Sequence, residues 1–312
     1  MQETLKIETI ADDPLLITIR SIGFIGSMAL SENLSFAVAF ADNCRTENGS
    51  LSGGSHMCGE GDALLIKEKQ LVWQKKIPRP VHARVSNTGA TAVCDIGFGP
   101  DLRSNILVFR EDGSTAVSQV IEANLMSCAI TAGGDFVFFN SAGSPKTEDS
   151  VKLFAYILPS GEHAFTVDFL IQELTGAVSD GDKLTVTAEG ISYEYSRSGA
   201  PLNKLETDLT LFERNLSSGY FASAHRVLSD CLKEAVKDEQ RDTLRAAYER
   251  LISSDSPSEI KAKAHRDLGE QWLAQGHKAQ ALAEFRQALR LNSKIGLKRK
   301  VAELEKPIER AL

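Results

Sequence analysis

Two cysteines and a histidine near the N-terminus have the residue types of a metal or redox site. Cys44, His56 and Cys58 lie in a stretch rich in Gly and Ser, with Glu60 or Asp62 as an oxygen donor. A zinc site needs three or four such ligands. The spacing C-x11-H-x-C matches no common zinc motif, and one residue between His56 and Cys58 is cramped. The alternatives are a metal site, a redox thiol pair and a loop without chemistry, and we adopt the third.

Other signatures of catalysis are missing from the sequence. It contains no G-x-S-x-G, no H-E-x-x-H, no Walker loop and no dinucleotide-binding fingerprint. The remaining histidines are dispersed, which is typical of packing or surface positions: His82, His163, His225, His265 and His277. We therefore predict no catalytic residue, no metal and no cofactor.

Length and composition indicate a soluble protein of two domains. The chain has 312 residues, of which 42% are hydrophobic and 25% charged. Its N-terminus has no basic region followed by an apolar stretch, and no apolar run is long enough to cross a membrane. The five cysteines are odd in number and imply no disulfide framework. We expect a reducing, cytoplasmic location and no contact with membranes.

Charge differs between the two parts of the chain. Residues 1–200 carry 15 Lys and Arg against 25 Asp and Glu, a net charge of −10, whereas residues 201–312 carry 20 against 17, a net charge of +3. An acidic domain repels phosphate backbones. The densest basic cluster, residues 294–300, has no aromatic or glycine-loop partner and is typical of a solvated helix face. Nucleic acid is therefore not expected as a partner.

A repeat in residues 29–204 indicates the architecture of the first domain. Each copy has a hydroxyl residue, a tight polar turn and a β-rich run, and then a second hairpin. The hydroxyl residues are Ser31, Ser86, Thr131 and Ser179, at spacings of 55, 45 and 48 residues. This pattern resembles the blades of WD40 and quinoprotein-type β-propellers, although the Gly-His and Trp-Asp signatures are absent.

The resemblance implies a β-propeller-like (WD40-like) domain over residues 1–200, with four to five blades in an open or closed ring. A β-sandwich of irregular hairpins is the alternative. In a propeller, residues 42–60 would form the longest connection on the top face, where binding residues are usually found. The equivalent connections would be residues 97–103, 141–149 and 188–190.

Residues 201–312 change to a helical period of three and four. From Ala262 the sequence keeps a pattern that resembles the tetratricopeptide (TPR) repeat, carried by Leu268, Gly269, Trp272, Gly276, Ala281, Phe285 and Ala288. A degenerate copy begins at Leu205. The resemblance implies a TPR-like helical domain, in which Gly269 and Ala281 allow the two helices of a repeat to approach closely.

Both resemblances imply a non-enzymatic scaffold that binds proteins, with an enzyme or small-ligand binder using the top-face loops as the alternative. In TPR proteins the first helix of a repeat lines the binding groove. The matching partner-binding residues here are Lys263, Arg266, Glu270, Leu273 and Ala274. Because Lys263 and Arg266 resemble a carboxylate-binding pair, we expect an acidic peptide segment as the partner.

The ends of the β repeat need protection, since soluble proteins seldom leave sheet edges bare. Residues 4–20 form one further predicted hairpin. We expect this hairpin to pair with the blade that contains Tyr193, or else a second chain to cover the open edge in a homo- or hetero-oligomer.

Overall fold

The computed structural model describes residues 4–12, 15–42, 60–96, 102–144, 147–169, 173–234 and 237–309. It divides the chain into two compact units, Met1–Leu202 and Asn203–Leu312. Strands build the first unit and helices the second. The expected order, a β region followed by a helical region, is therefore confirmed.

The described part of the β unit contains four antiparallel sheets, which we number in chain order. Sheet 1 is formed by β1 (Ile7–Asp12), β2 (Leu15–Ile19), β3 (Phe24–Leu30), β4 (Phe36–Ala41), β5 (Gly61–Lys67) and β6 (Gln70–Ile77). Sheet 2 is formed by β7 (Pro80–Val85), β8 (Thr91–Ile96), β9 (Ser104–Phe109) and β10 (Thr115–Ile121). Sheet 3 is formed by β11 (Leu125–Ile130), β12 (Phe136–Ser141), β13 (Lys152–Ile157) and β14 (Glu162–Asp168). Sheet 4 is formed by β15 (Leu174–Asp180), β16 (Lys183–Ala188) and β17 (Ile191–Ser196).

The middle strands of sheets 1 to 3 are buried on both faces. Every residue of β4, FAVAFA, and of β12, FVFFNS, is buried. A strand covered on both faces reads as a continuous apolar run instead of an alternating one. Apolar clusters join sheet 1 to sheet 2 and sheet 2 to sheet 3. Sheet 3 contacts sheet 4 through Phe165 and Tyr195, whose rings are 5.8 Å apart, so the sheets stack in chain order.

The N-terminal hairpin β1–β2 joins sheet 1, because β2 pairs with β3. Its apolar residues Leu5, Ile17 and Ile19 pack on the outer face of the same sheet, against a cluster that includes Ala39 and Leu64. The backbone N–H of Leu5 also donates to the carbonyl of Lys69 at 2.8 Å. The prediction that this hairpin pairs with the blade of Tyr193 is therefore wrong. Alternating apolar residues predict a buried face without identifying the sheet that it covers.

Three of the four hydroxyl residues of the repeat fix the turn that follows a first strand, whereas Ser179 lies within β15. The hydroxyl oxygens of Ser31 and Thr131 each accept the N–H of the residue five positions later, at 3.0 Å, and that of Ser86 accepts the N–H of Ala90 at 3.1 Å. Neighbouring turns are also bonded to one another. The N–H of Asn33 donates to the side chain of Asn87, whose own N–H donates to the carbonyl of Ala132, both at 2.9 Å.

Sheet 4 ends the stack with a polar outer face. In β16 the apolar residues are buried, whereas Lys183, Thr185 and Thr187 alternate with them and are half-buried. Since the outer face of sheet 1 is occupied by its own hairpin, the described sheets do not close into a ring. The described part of the β unit therefore has four sheets in an open stack, and its strands β1 and β2 belong to sheet 1 and do not begin a fifth.

The described part of the second unit contains six helices. They are α1 (Lys204–Ser217), α2 (Phe221–Glu234), α3 (Asp238–Ser253), α4 (Ser258–Ala274), α5 (Lys278–Leu291) and α6 (Lys298–Glu309). Gly269 of α4 packs against Phe285 of α5 so closely that a Cβ atom would lie 2.4 Å from the ring. Among the described residues, no helix is both long and apolar enough to span a membrane.

We predict that Thr131→Val destabilises the β unit. Valine keeps the shape of threonine but leaves the buried N–H of Phe136 without its acceptor, which costs about 1–3 kcal/mol in the free energy of unfolding. Thr131→Ser keeps the hydroxyl and is the control, with a smaller loss. Urea denaturation measures both variants, and equal losses would show that the hydroxyl does not matter.

Candidate functional site

All five residues predicted to bind a partner lie on α4. Residues three, four and seven apart share a face of a helix, so Lys263, Arg266, Glu270, Leu273 and Ala274 form one stripe. Four of the five are half-buried, and Ala274 is exposed. We call this stripe the α4 face.

Arg266 is held in place by a buried carboxylate. Its Nε and Nη2 atoms donate to Oδ1 of Asp267, at 3.0 and 2.9 Å. The other oxygen, Oδ2, accepts the hydroxyl of Tyr248 from α3 at 3.3 Å and lies 3.1 Å from Nε2 of His225 from α2. The Asp267 side chain is 10% exposed, whereas that of Arg266 is 38% exposed. Three helices therefore fix an anion beneath a cation that reaches the surface.

The network changes the acidity of its members. Burial alone would raise the pKa of the Asp267 carboxyl, but the adjacent His225 and Arg266 side chains outweigh burial and hold that pKa below its ordinary value. Burial, together with the nearby Asp267 carboxylate, raises the pKa of Tyr248. Asp267 is therefore ionised at neutral pH, and Tyr248 keeps its proton.

The remaining charges of the α4 face are also paired. Nζ of Lys263 lies 2.8 Å from a carboxylate oxygen of Glu259, one turn earlier on the same helix. Nζ of Lys300, on α6, donates to both carboxylate oxygens of Glu270, at 2.6 and 2.7 Å. Three cations thus pair with three carboxylates, so Lys263 and Lys300 can bind an external anion only where a partner displaces an internal pair.

Of the suspected metal ligands, only Glu60 and Asp62 belong to the described residues. Cys44, His56 and Cys58 lie outside the described residues. Glu60 is exposed, and Asp62 accepts hydrogen bonds from Gln74 at 2.7 Å and Lys76 at 2.9 Å. The described residues include no group of three or more side chains that could hold a metal ion. Asp62 is a structural residue that fixes the end of sheet 1.

A groove of about 640 Å³ lies between the outer strands of sheets 2 and 3. Its polar lining consists of Gln119, Glu148, Asp149, Lys152, His163 and Thr166. Two of these residues contact Tyr156, whose hydroxyl donates to Gln119 at 2.7 Å and whose ring meets the ring of His163 edge-on at 5.5 Å. This groove offers both signs of charge beside aromatic rings, a combination that suits a polar ligand.

Sequence reasoning did not identify Asp267, Lys300 or the residues that line the groove. Asp267 carried a signal, because an acidic residue directly before Leu268 and Gly269 falls on the buried side of a helix that is otherwise apolar there. Lys300 carried none, since its contact with Glu270 joins residues 30 positions apart. The groove joins β10 to β13 and β14, and no local pattern predicts such a pairing.

We predict that Asp267→Asn lowers the free energy of unfolding by about 2 kcal/mol at pH 7, because hydrogen bonds to a charged group are lost. A carboxyl with a lowered folded pKa stabilises the protein above its unfolded pKa of about 4 and stops doing so as the pH falls through the folded pKa. The difference between wild type and variant should therefore shrink in acid.

Urea denaturation between pH 3 and pH 7 measures this difference. Asp230→Asn is the control, since Asp230 makes only an exposed pair with Lys233 on α2 and its loss should cost little. A difference for Asp267→Asn that does not change with pH would contradict the role given to the charge.

No protein-family model matches this chain, and no curated protein matches its sequence. We therefore infer function from the contacts of the chain's own residues.

Proposed function

We propose that the chain is a non-enzymatic scaffold that binds protein partners, and that the α4 face binds an acidic segment of one of them. The observation that carries the proposal is Arg266, a half-exposed cation fixed by the buried Asp267. A guanidinium held in one orientation loses little conformational entropy when it binds a carboxylate.

Arg266 has donors left for a partner. Nε and Nη2 point to Asp267, whereas no described residue accepts a hydrogen bond from Nη1. Arginine binds carboxylates through charge-assisted hydrogen bonds. A partner carboxylate can therefore add to Arg266 without breaking its bond to Asp267.

Lys263 and Lys300 supply further positive charge when their internal partners are displaced. Glu259, the partner of Lys263, is 65% exposed, and an exposed ion pair contributes only about 0–1 kcal/mol. A partner carboxylate can replace Glu259 at little cost. Lys300 offsets the charge of Glu270, the residue that would otherwise repel an acidic segment.

We also propose that the two units are a WD40-like β-propeller left open and a TPR-like helical domain. The repeated hydroxyl turns of sheets 1 to 3 support the first assignment. The contact between Gly269 and Phe285 supports the second, because TPR helices approach closely at a small residue. Stacked repeats of both kinds present rigid surfaces to other proteins.

A second candidate is a small-ligand binder that uses the groove between sheets 2 and 3. Glu148 and Asp149 of this groove belong to the connection of residues 141–149, which the propeller resemblance assigns to the top face. Pockets of about 300–1,000 Å³ with a few polar groups are typical of ligand sites. We rank it second because the groove is open and its polar groups do not converge on one point.

The proposed location is the cytoplasm, in keeping with free thiols at Cys94, Cys128 and Cys231. A second chain at an open sheet edge stays part of the proposal, because among the described strands β15 pairs with β16 alone.

We predict that the full chain binds a fluorescein-labelled hexaglutamate peptide. Arg266→Ala should weaken this binding about tenfold, equivalent to about 1.4 kcal/mol, because the anchoring guanidinium is removed. Fluorescence anisotropy at 50 and 500 mM salt measures the affinity, which should fall as salt rises.

Arg226→Ala removes an equal charge from an exposed position on α2 and is the matched control. A hexalysine peptide tests whether the α4 face selects by sign of charge. Affinity for hexaglutamate that ignores both Arg266→Ala and added salt would rule the proposal out.

A further inference from the structure

Two cysteines meet at the interface between sheets 2 and 3. Cys94 lies on β8 and Cys128 on β11, and both belong to the apolar cluster that joins these sheets. Their side chains are 0% and 1% exposed. Both are free thiols.

The sheets approach closely here because the residues between them are small. Ala92 and Cys94 share a face of β8, since residues two apart on a strand point the same way. Sγ of Cys128 lies 3.9 Å from the carbonyl oxygen of Ala92. β8 and β11 face each other across this interface, and a disulfide between Cys94 and Cys128 requires Cα atoms about 4.4–6.8 Å apart. Formation of the bond tests whether the two strands reach that separation.

Burial raises the pKa of the Cys94 thiol, and the nearby Cys128 side chain raises it further. A buried, protonated thiol is protected from bulky reagents. A peroxide reacts with the thiolate, so oxidation requires a transient opening of the interface in which one thiol ionises, and the other thiol is then the neighbouring nucleophile for the oxidised sulfur.

We propose that Cys94 and Cys128 form a redox modification site, at which a peroxide produces a disulfide that joins sheets 2 and 3. In the first step one thiol is oxidised by hydrogen peroxide to a sulfenic acid, and one water is released. In the second step the other thiol attacks the sulfenic sulfur, the S–S bond forms and a second water leaves. Two electrons pass from the sulfurs to the peroxide.

Cys231 is the matched thiol that should not take part. It is buried in the helical unit, and its thiol donates to a carboxylate oxygen of Asp208 at 3.4 Å. It has burial similar to that of Cys128 but no described cysteine beside it. Comparing the oxidation of Cys231 with that of Cys128 therefore separates the effect of a neighbouring thiol from the effect of burial.

The disulfide would close a loop from residue 94 to residue 128 that contains β9 and β10. Cross-linking restricts the unfolded chain, so a disulfide without strain stabilises the folded state. It would also prevent sheets 2 and 3 from separating. Peroxide should therefore raise the resistance of the β unit to denaturant, and a thiol reductant should reverse the change.

The experiment uses the full chain with Cys44→Ser and Cys58→Ser, which leaves three of the five cysteines. Folded protein is treated with hydrogen peroxide, alkylated with N-ethylmaleimide and digested with trypsin without reduction. We expect a disulfide-linked pair of peptides, residues 85–103 and 111–146, and alkylated Cys231. The urea midpoint should rise and should return to its starting value with dithiothreitol.

Cys94→Ala and Cys128→Ala should each abolish the linked pair and the rise in urea midpoint, whereas Cys231→Ala should keep both. If an alanine variant fails to fold, peptide mapping of the parent protein still decides. Absence of the linked pair from folded, oxidised protein overturns the proposal. So does a link that involves Cys231 or joins two chains.

Discussion

The β unit depends on burial at both faces of its sheets. A sheet that is apolar on both faces cannot stand alone, because each face must be removed from water by a neighbour. Sheets 2 and 3 satisfy this requirement by lying between other sheets. The two ends of the stack satisfy it in different ways. The N-terminal hairpin covers sheet 1 with Ile17 and Ile19, and sheet 4 replaces the second apolar face with Lys183, Thr185 and Thr187.

Much of this fold could be predicted from sequence because its signals are local. The hydroxyl residues, the turn glycines and the change of period after residue 200 each reflect contacts within a few residues. The position of the N-terminal hairpin could not be predicted, since pairing β2 with β3 instead of β17 depends on which apolar face lacks a cover. Ring closure could not be predicted for the same reason: the alternation in β16 is visible in KLTVTA, but an alternating strand fits both an open end and a blade.

The α4 face could likewise be predicted only in part from the sequence. Helical period was enough to place Lys263, Arg266 and Glu270 on one helix, yet the pairing of each charge depends on other helices. Tyr248 and His225 surround Asp267 from α3 and α2, and Lys300 reaches Glu270 from α6. Buried hydrogen-bonded charges of this kind specify one arrangement more than they add stability. Asp267 acts through Arg266, by fixing its direction.

An open stack frees the chain from a geometric condition that a ring imposes. Blades in a ring must divide a full turn among them, so their number cannot change without a new angle at every interface. In a stack, each sheet needs only its two neighbours, as in solenoid repeats. Backbone N–H groups link successive turns, from Asn33 to the side chain of Asn87 and from Asn87 to the carbonyl of Ala132. Duplication of one segment of about 50 residues, close to the observed spacings of 45, 48 and 55, would therefore lengthen the stack by one sheet and leave both ends intact.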